Sequence, residues 1–262
     1  MSATTNIEWA THTASPWFGC SKVSPGCTNC YAEKITLQKK WAGWGDNSPR
    51  VRSKGFWKDA PTWNRKAEIT GTRPRFFTSL MDWLDPMVPI EWLADFLKVV
   101  FECQNLDWLL LTKRPEQFRE RVYHAKVAYE TKYGADAFVK WVFDWFNGAA
   151  PNNVWFGVTC ENQRAADERL PILSTIPARV RWVSAEPLLE TVRVSPFVDW
   201  VVIGGESGSN RRDCGIDAIC QTAWVAKSLD IPIFIKQDCA FKPGQQGRLS
   251  DSVWKIKELP SL

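Results

Sequence analysis

From residue 75 onward, short apolar runs alternate with helix-like stretches, and that rhythm restricts the fold more than any other feature of the chain. Arg75–Thr78, Asp107–Leu111, Val154–Val158, Val180–Val183, Trp200–Ile203 and Ile233–Ile235 read as strands. The unbroken Trp-Leu-Leu-Leu of the second run marks a strand buried on both faces. Helical spacing predicts helices over about Ile90–Cys103, Glu161–Leu173 and Asp217–Leu229, with another opening at Pro115. Proline suits a first helical position because its missing N–H is not needed there, and Asp217 is a candidate N-cap. One further strand is expected just before Cys20, giving about six to seven in all. Strands and helices in alternation imply parallel pairing in an α/β layer or barrel. A chain of 262 residues has ample length for one buried core, so 1–262 reads as a single domain. Two stretches interrupt the rhythm: a long Gly-, Pro- and Trp-rich connection over 43–74, expected to be a lid or an insertion, and an inserted helical pair over 122–150.

Cysteine usage sets the chemistry. Cys20, Cys27 and Cys30 are spaced C-x6-C-x2-C around a Pro25-Gly26 bend, with a helix-like run from Ala32 to Trp41 behind them. Clustered thiols around a turn point to a metal centre, and the informative count is three. Structural zinc takes a closed tetrahedral set, whereas a four-iron cluster on three thiolates leaves one iron open to a small molecule. The N-terminus shows neither a basic nor an apolar leader segment, and no apolar run approaches the roughly 20 residues needed to cross a bilayer. Eight cysteines in such a chain read as metal ligands and core thiols rather than a disulfide frame, and a reducing cytoplasm is the expected compartment.

The net charge of +4 is unevenly spread, with twelve Lys and Arg against five Asp and Glu in residues 1–75. Arg50, Arg52, Lys54, Lys58, Arg65 and Lys66 are interleaved there with Trp44, Phe56, Trp57 and Trp63. Cations among aromatics suit a polyanion with stackable bases; a solvated segment whose aromatics pack on the body is the plainer alternative.

In a parallel barrel the working groups lie where strands run into helices. Each expected strand here ends in polar residues at that end: Ser79 and Asp82; Thr112, Lys113 and Arg114; Thr159, Cys160, Glu161 and Asn162; Ser184 and Glu186; Gly204, Gly205 and Glu206; Lys236, Gln237 and Asp238. With the cysteine loop after the first strand, these groups predict one shared site on one face. Gly204 and Gly205 allow close backbone approach to a ligand, and Lys113 and Arg114 can pair with a carboxylate or phosphate.

Taken together, Gly19-Cys-Ser-Lys-Val-Ser-Pro-Gly-Cys-Thr-Asn-Cys-Tyr-Ala-Glu33, Leu111-Thr-Lys-Arg-Pro115, Asn153-Val-Trp-Phe-Gly157, Ser184-Ala-Glu-Pro-Leu188, Gly204-Gly-Glu-Ser-Gly208 and Phe234-Ile-Lys-Gln237 resemble the phage-encoded three-cysteine-motif proteins, an uncharacterised family related to the radical SAM enzymes. The resemblance implies a partial (β/α) barrel with a helical insertion and a four-iron, four-sulfur cluster on Cys20, Cys27 and Cys30. It implies that S-adenosylmethionine chelates the open iron and is cleaved to a 5′-deoxyadenosyl radical, with an electron donor such as flavodoxin or ferredoxin as a partner. By strand order, Lys113 or Arg114 would meet the methionine carboxylate and Ser79 and Asp82 its amino end. Gly204 and Gly205 would line the adenine, and Thr159, Glu161, Ser184, Glu186 and Glu206 would complete the cofactor site. The substrate is open, with a nucleic acid or nucleobase favoured by the 44–66 stretch.

Two features depart from that pattern. The first cysteine gap is six where radical SAM proteins have three, and Lys236-Gln-Asp-Cys239 stands where the family commonly has Lys-Gln-Trp-Gly. Cys214, Cys220 and Cys239 therefore raise the question of a second three-thiolate set, with separate core thiols as the default. The rival reading is a non-enzymatic nucleic-acid-binding module whose three cysteines, with His12 as a fourth ligand, hold structural zinc.

Overall fold

The computed structural model describes residue 5 and residues 7–261. In chain order it contains β1 (His12–Thr13), β2 (Trp17–Phe18), α1 (Tyr31–Gln38), β3 (Val51–Arg52), α2 (Phe56–Thr70), β4 (Arg75–Phe77), α3 (Ile90–Glu102), β5 (Asp107–Thr112), α4 (Phe118–Tyr133), α5 (Ala137–Phe146), β6 (Val154–Thr159), α6 (Gln163–Ser174), β7 (Val180–Ala185), β8 (Trp200–Gly204), α7 (Ile216–Ser228), β9 (Ile233–Gln237) and α8 (Asp251–Trp254). Seven strands form one parallel sheet in the order β1-β4-β5-β6-β7-β8-β9, curled into a half-barrel. The expected partial barrel is the observed fold.

Period-two alternation divides the sheet into two faces. One face carries Phe76, Trp108, Leu110, Phe156, Val158, Val183, Val201, Ile203 and Ile235, packed in a single core with α3, α4, α5, α6 and α7. The other, inner face carries Phe77, Leu109, Trp155, Trp182, Trp200, Val202 and Phe234, which close around Trp9. Trp9 meets Phe77, Trp182 and Trp200 at ring-centroid distances of 4.6, 5.4 and 5.9 Å. Both faces are dry, which is why these strands read as continuous apolar runs. Register places residue 157 opposite Trp182 on the inner face, and glycine fits there because a Cβ would stand 2.3 Å from the Trp182 indole.

Several boundaries differ from the sequence expectation. The first strand of the sheet is His12–Thr13, paired with Phe76 and Phe77. The segment just before Cys20 instead pairs antiparallel with Val51–Arg52, outside the main sheet. Residues 43–74 are mostly ordered secondary structure: α2 runs through Pro61 and buries Phe56, Ala60 and Ala67. That stretch is therefore no loose lid, and its aromatics turn inward, with Trp57 and Trp63 packing on the core. Arg50 is buried against Asp85, and Arg52 stacks over Trp57 at 4.0 Å, leaving Lys54, Lys58, Arg65 and Lys66 exposed. The plainer alternative holds for the aromatics of this segment. The pair of helices expected over 122–150 is α4 and α5, but α4 begins at Phe118 and serves as the β5–β6 crossover against α3. Asp217 falls in the first turn of α7 rather than at its cap, where a carboxylate still complements the helix dipole.

Candidate functional site

The inner face changes character towards the C-terminal ends of the strands. Past the tryptophans, the same inward positions continue as Lys113, Thr159, Ser184, Gly204 and Lys236. Thr159 pairs with Ser184 in register. Lys113 Nζ donates to Thr159 Oγ1 at 3.4 Å, and Ser184 Oγ lies 3.4 Å from Glu186 Oε2. Lys236 Nζ is 2.8 Å from Glu186 Oε1. Gly204 makes room for this carboxylate, since a Cβ would meet Glu186 Oε1 at 2.7 Å. The result is a continuous polar arc, Lys113–Thr159–Ser184–Glu186–Lys236, above an apolar floor.

The three-cysteine loop lies across these strand ends, held by a residue next to each cysteine. Beside Cys20, Ser21 offers its carbonyl and hydroxyl to Arg114 Nη2 at 2.9 and 3.0 Å. Beside Cys27, the Gly26 N–H donates to Glu161 Oε1 at 3.2 Å, and a Cβ on Gly26 would press on that carboxylate at 3.0 Å. Between Cys27 and Cys30, Asn29 Nδ2 donates to Glu206 Oε2 at 2.8 Å. After Cys30, the Tyr31 hydroxyl donates to the Ser79 carbonyl at 2.8 Å.

These contacts reassign part of the residue set read from the sequence. Asp82, expected at the amino end of a cofactor, has no free lone pair in the right place. Its Oδ1 accepts from Leu84 N and Thr112 Oγ1, and its Oδ2 from Lys113 N and Arg114 Nη1. Arg114 is spent on Asp82, Ser21 and Cys20. Glu161 is bound by Arg169 at 2.8 Å and by Gly26, and Glu206 by Arg212 and Asn29. Asp82, Arg114, Glu161 and Glu206 thus hold the loop. Gly205 backs on the sulfurs of Cys214 and Cys239. Lys236 joins the site as its strand-end position predicted, and Tyr31 joins it without having been singled out, because only the docked loop carries it to Ser79.

Electrostatics follow this packing. Burial, reinforced by the Asp82 charge, pushes the Cys20 thiol up to about 12, while Arg114 at 3.7 Å pulls the other way. Burial also raises Cys30, opposed by the Lys113 charge. Burial raises the Tyr31 phenol, as do the charges of Cys30 and Glu186, so the Cys30 end of the loop overlooks the arc. For Glu161, burial is the largest influence and acts upward, but Arg169, the Ser24 hydroxyl and Lys113 together hold the carboxyl below its ordinary value. A cavity of about 440 Å³ opens beside the loop, lined by Val23, Lys113, Arg114, Glu168 and Arg169 among others.

Among the described residues, no group of three or more His, Cys, Asp or Glu is arranged to hold one metal ion. His12, the fourth ligand in the zinc reading, stacks on Trp63 at 4.6 Å. Cys103 is core, and Cys160 points into the helix-covered core, away from the inner face. Cys214 and Cys239 are joined to one another, so they are not the separate core thiols expected, and Cys220 on α7 is a free thiol.

Residues 4–256 match a family described as a protein of unknown function (DUF5131). The chain belongs to this family. No curated protein and no solved structure matches. The family match spans every strand of the half-barrel, the cysteine loop and the polar arc. Among the described residues, no helix is long and apolar enough to cross a membrane.

Proposed function

We propose that this chain is an iron–sulfur enzyme of the radical SAM type, acting in the cytoplasm. The observation that carries the reading is the placement of three thiols on one loop over the C-terminal ends of a parallel half-barrel, with the Cys30 end overlooking an arc of polar side chains. The donor set suits the group, since soft thiolates favour iron–sulfur or zinc; Arg114 at Cys20 and Lys113 near Cys30 oppose the burial that raises both thiols. Cys20, Cys27 and Cys30 would hold a four-iron cluster, which supplies one electron, received from a flavodoxin- or ferredoxin-like donor, for reductive cleavage of S-adenosylmethionine.

The roles of the chain's own residues follow from which of them are already engaged. Arg114, Asp82, Glu161 and Glu206 orient the loop. Lys113 is the cation left to pair with a carboxylate, since Arg114 is committed. Ser184, Thr159 and the Glu186–Lys236 pair offer hydroxyl, acceptor and donor positions to an amino or ribose group. The tryptophan floor around Trp9 excludes water from below. A nucleic acid or nucleobase is the substrate class we favour, supported by the exposed Lys54, Lys58, Arg65 and Lys66 on and before α2.

The test is anaerobic reconstitution with iron and sulfide, followed by EPR of the reduced protein with and without S-adenosylmethionine. A four-iron signal that changes on adding the cofactor is the expected result. Cys20→Ser, Cys27→Ser and Cys30→Ser should each lose that signal, and Lys113→Met should keep the cluster but weaken the change. Stoichiometric zinc without iron, or a cluster indifferent to S-adenosylmethionine, overturns the proposal.

A further inference from the structure

We propose that Cys214 and Cys239 form a redox-active disulfide that exchanges with an external dithiol, and that its state is transmitted to the three-cysteine loop. This inference is independent of the iron–sulfur reading. Neither residue belongs to the C-x6-C-x2-C loop, and the coupling runs through protein hydrogen bonds alone.

The two residues are 25 positions apart, with their Cα atoms 5.9 Å from one another, within the range a disulfide spans. The pair sits on Gly205, where a Cβ would lie 2.5 Å from Cys214 Sγ and 2.8 Å from Cys239 Sγ. The two residues differ in exposure. Cys214 is 1% exposed, whereas Cys239 is partly exposed and lines a cavity of about 650 Å³ with Arg211, Asp238, Phe241 and Arg248. Arg211 Nε donates to the Cys239 carbonyl at 2.5 Å, and Arg248 Nη2 to the Cys214 carbonyl at 3.2 Å. Two guanidinium groups therefore flank the pair, set against the carboxylates of Asp213 and Asp238.

Exchange then has a defined course. An incoming thiolate reaches Cys239 Sγ through the cavity and forms a new S–S bond to it. The protein S–S bond breaks, and Cys214 leaves as a thiolate that takes a proton from solvent. The second thiol of the external dithiol, after giving up its proton, attacks the dithiol's other sulfur in the mixed disulfide and releases Cys239 as a thiolate, which takes up a proton in turn. Two protein thiols replace one disulfide, and the external dithiol becomes a disulfide.

The coupling path is short. Cys214 closes the 205–215 segment, in which the Arg212 N–H donates to Glu206 Oε2 at 2.7 Å and the Arg212 guanidinium pairs with the same carboxylate. Glu206 Oε2 and the Asn210 carbonyl, 2.8 and 2.9 Å away, both accept from Asn29, which lies between Cys27 and Cys30. The disulfide ties this clamp to the segment after β9. Reduction removes the tie and loosens the hold on Asn29.

The test equilibrates the full-length chain in dithiothreitol buffers of graded oxidised-to-reduced ratio. After acid quenching and denaturing alkylation, peptide mass spectrometry follows each cysteine. Peptides carrying Cys214 and Cys239 should pass together from cross-linked to alkylated. In the same buffers, hydrogen exchange of the 24–33 peptide should speed up on reduction. That change should vanish in Cys239→Ser, which also controls for oxidation of the loop's own thiols, and in Asn29→Ala. If Cys214 and Cys239 are alkylated across the whole range, the disulfide is refuted. If they cross-link but exchange over 24–33 does not respond, or still responds in Cys239→Ser, the coupling is refuted.

Discussion

Replacing Arg114 by Met tests the claim that buried ion pairing, rather than cofactor contact, is what this side chain does. Arg114 and Asp82 are 2.9 Å apart with side chains only 6% and 9% exposed. Removing one partner of such a pair leaves an uncompensated buried charge and typically costs about 3–5 kcal/mol. Asp82 keeps three other donors, Leu84 N, Thr112 Oγ1 and Lys113 N, which places the loss near the lower limit, about 3 kcal/mol. Against a total stability of roughly 5–15 kcal/mol that is a large fraction, and it corresponds to a fall in Tm of roughly 6–12 °C. Urea unfolding of the metal-free protein measures it, and hydrogen exchange over residues 19–24 should quicken because Ser21 loses both its contacts to Arg114. The double variant Asp82→Asn/Arg114→Met should be no less stable than the single one, because no charge is then stranded. A single variant within about 1 kcal/mol of the parent, or a double variant whose losses simply add, would refute the reasoning.

Three further outcomes follow from the same geometry. Gly157→Ala places a methyl group 2.3 Å from the Trp182 ring and should destabilise by about 1–3 kcal/mol, with shifted tryptophan fluorescence; an unperturbed melt would mean that the inner face is not close-packed. Glu161 has a folded-state pKa below its ordinary value of 4.5, so the stability it adds is present above that pH and is lost as pH falls through the lowered value. Glu161→Gln should therefore flatten the acid limb of stability against pH in urea titrations, and an unchanged limb would remove Glu161 from the account. Burial pushes Cys103 and Cys160 up to about 12, so iodoacetamide at pH 8 should leave both unmodified in the native chain and label both after denaturation. Native labelling of Cys160 would place it on the solvent side of β6.

The strands were legible because a sheet buried on both faces leaves unbroken apolar runs, and the six from Arg75 to Ile235 fall within a residue or two of their expected positions. The first strand was not, because His12–Thr13 is two residues long and carries no such run. Residues 43–74 misled through composition: Pro61 and the glycines read as loop, yet α2 forms because its apolar side finds Phe76, Phe96 and Trp108 to pack against. Strand-end order brought Ser79, Asp82, Lys113, Arg114, Glu161, Glu186 and Glu206 to one edge, but order along the chain cannot say which charges consume one another.

The sequence alone determined a parallel α/β arrangement, through the period and burial of its runs, and the grouping of three thiols on one loop, through their spacing around Pro25-Gly26, while the resemblance implied the partial barrel. Only the tertiary structure decided which polar groups face the site. Whether a carboxylate is available depends on what lies within about 3 Å of it, and the partners of Glu161, Glu206 and Asp82 include Gly26, Asn29 and Arg114, up to 177 residues away in sequence. The same holds for Cys214 and Cys239, whose pairing required the β8 and β9 ends to be adjacent strands of one sheet.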